Sequence, residues 1–146
     1  MTGCQNSACC KLADLADNLA NSSTTLSPKD FITLMGERAA GIRPGLWRYF
    51  DLLRGGQDLI PGKGFRSEYN DGSEGQVRHF AGIAVSTITF GPKLTIWISE
   101  NIRLDKASSP DGRLTIAAIG FTTRLLGGQI PVSAAGEYIR QNLCQE

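Results

Sequence analysis

The stretch Glu74-Gly-Gln-Val-Arg-His-Phe-Ala-Gly-Ile-Ala-Val-Ser-Thr-Ile-Thr-Phe90 decides the fold. Val77, Phe80, Ala81, Ala84, Val85 and Ile88 recur in steps of three and one, the spacing of a helix face turned toward a core. The closing residues Val85 to Phe90 are rich in β-branched side chains and would suit a strand by propensity alone. The helical period nevertheless persists through Ile88, and Gly91-Pro92 supplies a clean stop, so the spacing predicts a helix over about 74–90.

The same reading extends in both directions. Leu12, Leu15, Ala16 and Leu19 line one face of a short helix over 11–20. Ser27-Pro28-Lys29-Asp30 supplies an N-cap, a proline suited to the first turn and an early acid. Phe31, Leu34 and Met35 follow at helical spacing, with Gly41 as terminator. Pro44 opens a segment whose Leu46, Tyr49, Phe50 and Leu53 form an aromatic-rich stripe expected in the core, ending at Gly55-Gly56. Gln57 to Gly75 holds neither period and reads as a long loop, of a length that is often functional or mobile.

Beyond the 74–90 helix, Leu94, Trp97, Ile98 and Ile102 make another helical stripe, and both Trp47 and Trp97 are expected in the core. Ser108-Ser109-Pro110-Asp111 repeats the helix-start signal ahead of Leu114, Ala118, Phe121 and Leu125, and Gly127-Gly128 stops it. Ser133 is expected to cap a last helix holding Tyr138, Ile139 and Leu143. With no hairpin signal and no internal repeat, the expectation is an all-α fold. It is a single compact domain of six or seven helices around the 74–90 helix, spanning 11–146 behind a Cys-containing polar tail at 1–10.

Composition bounds the function. A chain of 146 residues, 41% hydrophobic, can bury one core that hides roughly two-thirds of its unfolded surface. Fifteen Lys+Arg against 14 Asp+Glu leave a net charge of +1, without the clustered positive charge of a nucleic-acid binder. No apolar run approaches the roughly 20 residues of a transmembrane helix, and the chain as given is expected to be soluble. Met1-Thr2-Gly3-Cys4 matches the end of a lipoprotein cleavage site, but no apolar segment precedes it, so no secretion signal is expected to operate. Cys4, Cys9, Cys10 and Cys144 lie near the two ends and permit three pairings, one of which would tie the tail to the last helix. Their spacing lacks a zinc knuckle, so free or paired thiols are expected, with neither metal nor cofactor.

His79 is the only histidine, hence the only side chain whose ordinary pKa makes it a neutral-pH proton switch. On a helix it shares a face with Gln76, Gly82 and Ser86, beside the core stripe. Arg78 stands four residues after Glu74, a spacing for a surface ion pair, and could equally hold an anionic group beside the imidazole. Glu68 and Asp71 lie in the loop just ahead, and Asp111 opens a later helix, where an acid also serves the helix dipole. Glu100 lies one turn from Trp97, a setting that suits a general acid. A phosphate loop, a nucleophile elbow and a His-Glu-x-x-His zinc motif are all missing, and Cys144 is too near the C-terminus to hold attack geometry.

The run Asp71-Gly-Ser-Glu-Gly-Gln-Val-Arg-His-Phe-Ala-Gly82, followed by Ser109-Pro-Asp-Gly-Arg-Leu-Thr-Ile-Ala-Ala-Ile-Gly120, resembles small α-helical domains at the C-terminal ends of bacterial polymorphic toxins. There an Arg-His pair on a central helix precedes a second helix carrying an acid and a glycine. The similarity covers about 68–126, and no asparagine-rich or second-histidine motif follows in this chain. The resemblance implies a secreted or delivered effector with hydrolytic activity carried by Arg78, His79 and Asp111, whose partners are an unidentified substrate and an immunity or other protein.

Two functions therefore stand. One is a toxin-like hydrolase with His79 as general acid or base, Arg78 stabilising negative charge, Asp111 and Glu100 as candidate catalytic acids, and Asp71, Glu68, Gln76 and Ser86 as substrate contacts. The alternative is a non-catalytic protein-interaction module built on the Gly-rich loop and the aromatic stripe.

Overall fold

The computed structural model describes Cys4, residues 6–22 and residues 25–145; most of the Met1 to Cys4 cleavage-site match lies outside them. Seven α-helices make up the fold, with no strand among the described residues. They are α1 (Ala8–Ala20), α2 (Pro28–Ala40), α3 (Trp47–Arg54), α4 (Gln76–Phe90), α5 (Pro92–Asn101), α6 (Pro110–Leu126) and α7 (Ala135–Asn142). The 74–90 stretch is the central helix. α4 packs against α2 and α6, with α5 on a further side, while α1 pairs with α7.

The start signals work as read. Ser27 Oγ accepts from the Asp30 amide and Ser109 Oγ from the Gly112 amide, both at 3.1 Å, and proline opens each helix. Ser7 does the same for α1, accepting from the Cys10 amide at 3.1 Å, so that helix begins before the expected position 11. Its first turn buries Ala8, Cys9 and Cys10, which the sequence reading had set in a polar tail. At the other end Ser133 is no cap: it sits in a 3-10 turn, Val132–Ala134, and α7 starts without a side-chain capping bond.

The core gathers Phe31, Phe80, Phe121, Leu12, Leu114 and Ile139, with the Phe80 and Phe121 rings 5.4 Å apart. Gly36 sets the α2–α4 distance, since a Cβ there would fall 2.3 Å from Val85 Cγ2. A disulfide joins Cys9 to Cys144, closing 135 residues, and a second joins Cys4 to Cys10. The long 57–75 segment is clamped between the chain ends. Lys63 O accepts from the Ala8 amide at 2.9 Å, the Arg66 amide donates to Leu143 O at 2.9 Å, and Phe65 is fully buried.

Two helices reverse the expected orientation. α3 buries only Asp51; Leu46 is 82% exposed, Leu53 88%, and Trp47, Tyr49 and Phe50 more than half. Polar contacts decide this. Arg43 donates from its backbone amide (2.8 Å), Nε (3.0 Å) and Nη2 (2.9 Å) to the Asp51 carboxylate, while Arg48 donates to Thr33 and Thr89. Those bonds pull the polar face inward and leave the apolar stripe outside. α5 behaves likewise: Thr95 and Ser99 are buried, bonded to Ser86 and Thr115, whereas Leu94, Trp97 and Ile102 face out.

Candidate active site

At the N-terminal half of α4 a polar cleft of about 160 Å³ opens, lined by Arg54, Asp71, Arg78, His79, Arg103 and Asp111, with Ser73 and two glycines completing its wall. Several lining side chains are placed by features of local sequence. Arg54 is the last residue of α3, released by left-handed Gly55. Arg78 and His79 lie on the first turns of α4, and Asp111 on the first turn of α6, so two helix starts meet there. Gly112 allows the loop before α6 to cross against it, because a Cβ there would fall 1.9 Å from Lys106 O. Arg103 comes from that loop, next to Leu104, which holds a left-handed φ of 61° that leucine rarely adopts.

His79 is buried and both ring nitrogens are engaged. Arg103 Nη2 lies 2.9 Å from Nδ1, while Nε2 faces Thr115 Oγ1 at 2.8 Å and the Asp111 carbonyl at 3.2 Å. A guanidinium can only donate and a carbonyl only accept, so Nδ1 is the acceptor and Nε2 carries the hydrogen. Burial, then the charge of Arg103, pulls the imidazole down to about 4. This neutral ring is a bracket. It ties Arg103 to the start of α6, and Asp105 holds the other side of Arg103 at 3.2 Å. Both ring nitrogens of His79, to which the sequence reading gave the proton-transfer role, are held in these hydrogen bonds.

Two carboxyls also line the cleft. Asp111 and Asp71 are hydrogen-bonded to one another. Burial, followed by the hydrogen bond and charge of Asp71 and the charge of Asp105, pushes Asp111 up to about 6. Asp71 is itself partly desolvated, which would raise it. The donors around it outweigh that cost and hold it below its ordinary value: the Ser73 hydroxyl (2.6 Å) and amide (2.8 Å), and Gln76 Nε2 (2.8 Å). Below about pH 6 Asp111 thus holds a proton while Asp71 is ionised.

Of the other residues singled out in the sequence, Gln76 acts through Asp71 and is buried behind it. Arg78 lies in the cleft, but its ion-pair partner is Asp58, at 3.3 Å, instead of Glu74. Three candidates are elsewhere. Glu68 belongs to a separate exposed 3-10 turn, Ser86 is bonded to Thr95 at 2.9 Å in the α4–α5 contact, and Glu100 stands exposed on α5 outside the cleft. The sequence reading missed Arg54, Arg103 and Thr115. A glycine stop after α3 was a weak pointer to Arg54; Arg103 and Thr115 carried no signal.

No family model, curated protein or solved structure matches this chain. The site is therefore read from its own geometry. Three guanidiniums around a split carboxyl pair can hold an anionic group and move protons beside it.

Proposed function

We propose that the chain is a small helical hydrolase acting on an ester that carries an anionic group. The observation supporting it is the Asp71–Asp111 pair, whose unequal surroundings keep a proton donor and a proton acceptor side by side in a cleft lined by three arginines. In this reading Arg54, Arg78 and Arg103 bind the anionic group and offset charge that develops on the ester oxygen. A water oxygen bonds to the ester centre while Asp71 takes its proton. Asp111 gives its proton to the departing alcohol oxygen as that bond breaks. Transfer of the proton from Asp71 to Asp111 then restores the pair, with one water consumed per ester cleaved. His79 is a positioning residue for Arg103.

The resemblance to polymorphic toxin domains supports a delivered effector, and two disulfides support an oxidising destination. The outward apolar face of α3 supports the second reading, an interaction module. Acid release in a pH-stat, across esters with and without a phosphate or carboxylate, tests the proposal. Wild type should cleave only the anionic esters, Asp111→Asn should lose at least about 100-fold, and the rate should fall as pH rises through about 6. Cleavage unaltered in Asp111→Asn, or none of any ester, overturns it.

A further inference from the structure

Two of the three cleft arginines adjoin exposed aliphatic residues in the chain. Arg54 follows Leu53, which is 88% exposed, and Arg103 lies between Ile102 and Leu104, both well exposed. A water-soluble anion would need only the guanidiniums. The cleft lining itself is polar, and exposed aliphatic side chains adjoin two of its arginines along the chain, an arrangement that fits an amphiphile with its charged head in the cleft and its hydrocarbon outside it.

The wider face has the same character. Trp47, Tyr49 and Phe50 on α3, and Trp97 on α5, stand outward, and tryptophan and tyrosine are the residues that favour a bilayer interface. α3 shows no carboxylate on that surface, because its one acid, Asp51, is buried beneath it and neutralised by Arg43. Arg43, stacked 4.5 Å over Trp47, is spent on Asp51, so the exposed charges of the two helices are Arg54 at the end of α3, Lys93 at the start of α5, and Glu100 one turn from Trp97. Aromatics bordered by Arg54 and Lys93, against the single carboxylate Glu100, leave a surface of net positive charge that complements a negatively charged lipid surface.

We propose that helices α3 and α5 dock on an anionic phospholipid bilayer, which delivers a phosphate headgroup to the Arg54–Arg78–Arg103 cleft, so that the ester cleaved belongs to the lipid. The choice of substrate rests on the hydrolase reading; the docking does not. Vesicle sedimentation with phosphatidylglycerol or phosphatidylcholine separates the two. Wild type and Asp111→Asn should pellet equally with phosphatidylglycerol, at least about tenfold more than with phosphatidylcholine, and the binding should weaken with salt. The double variant Trp47→Ser/Phe50→Ser should lose that pelleting while keeping the wild-type circular dichroism melt. Acid release from the phosphatidylglycerol vesicles should follow binding in wild type and vanish in Asp111→Asn. Bound vesicles with no acid released sink the substrate assignment and the hydrolase reading but leave the docking. Failure of wild type to bind, equal binding to both lipids, or a dimer in ultracentrifugation that the double variant abolishes overturns the docking.

Discussion

His79 and Asp111 touch through a backbone carbonyl, yet their protons respond to pH in opposite senses. The imidazole is lowered from 6.5 to about 4, so between those values the unfolded chain binds a proton that the folded one refuses, and stability falls as the solution is acidified. Asp111 is raised from 3.8 to about 6, so across that range the folded chain holds a proton that the unfolded one releases, and stability falls as pH rises. The two trends oppose one another between about 4 and 6. Asp111→Asn removes the second alone. Urea unfolding from pH 6.5 down to about 4 should show a steeper acid loss for the variant than for wild type; parallel curves would mean that Asp111 titrates at its ordinary value.

At the level of the helix, periodicity locates elements better than it orients them. The three-and-one spacing of α4 matched its buried face because apolar packing dominates its contacts with α2 and α6. The same kind of stripe on α3 pointed the wrong way. Arg43 and Arg48 reach their partners from positions that no pattern within the helix encodes, and the carboxylate they draw inward takes the apolar residues out with it. Phe80→Ala should therefore cost about 3–5 kcal/mol by leaving a core cavity, whereas Phe50→Ser should stay within about 0.5 kcal/mol. Denaturant midpoints decide it, and a large loss for Phe50→Ser would return α3 to the core. The candidate site was legible to the same extent. Arg78 and Asp111 lie on the first turns of helices and Asp71 in the loop just ahead of α4, but Arg103 lies in a loop where only the fold brings it to His79.

Across the whole molecule, the all-α class and the central place of α4 follow from the caps, stops and periods of the chain, because those signals act within a few residues. The cysteine pairing could not follow in the same way, since it depends on where residues 9 and 144 meet. That bond closes nearly the entire chain, and removing it by Cys9→Ser/Cys144→Ser should cost about 2–5 kcal/mol, read as a lowered Tm. Cys4→Ser, which opens a separation of only six residues, should lower Tm much less. Equal effects would contradict the loop-closure account.

The Cys9–Cys144 bond also closes the covalent path from residue 9 to residue 144 into a circle. A circle survives one cut. A protease that nicks the exposed segment between α5 and α6 would yield no separate fragments: a single band persists without reductant and splits in two with it. A circular permutant that joins residues 9 and 144 by a short peptide and opens elsewhere on the surface retains the same closed path.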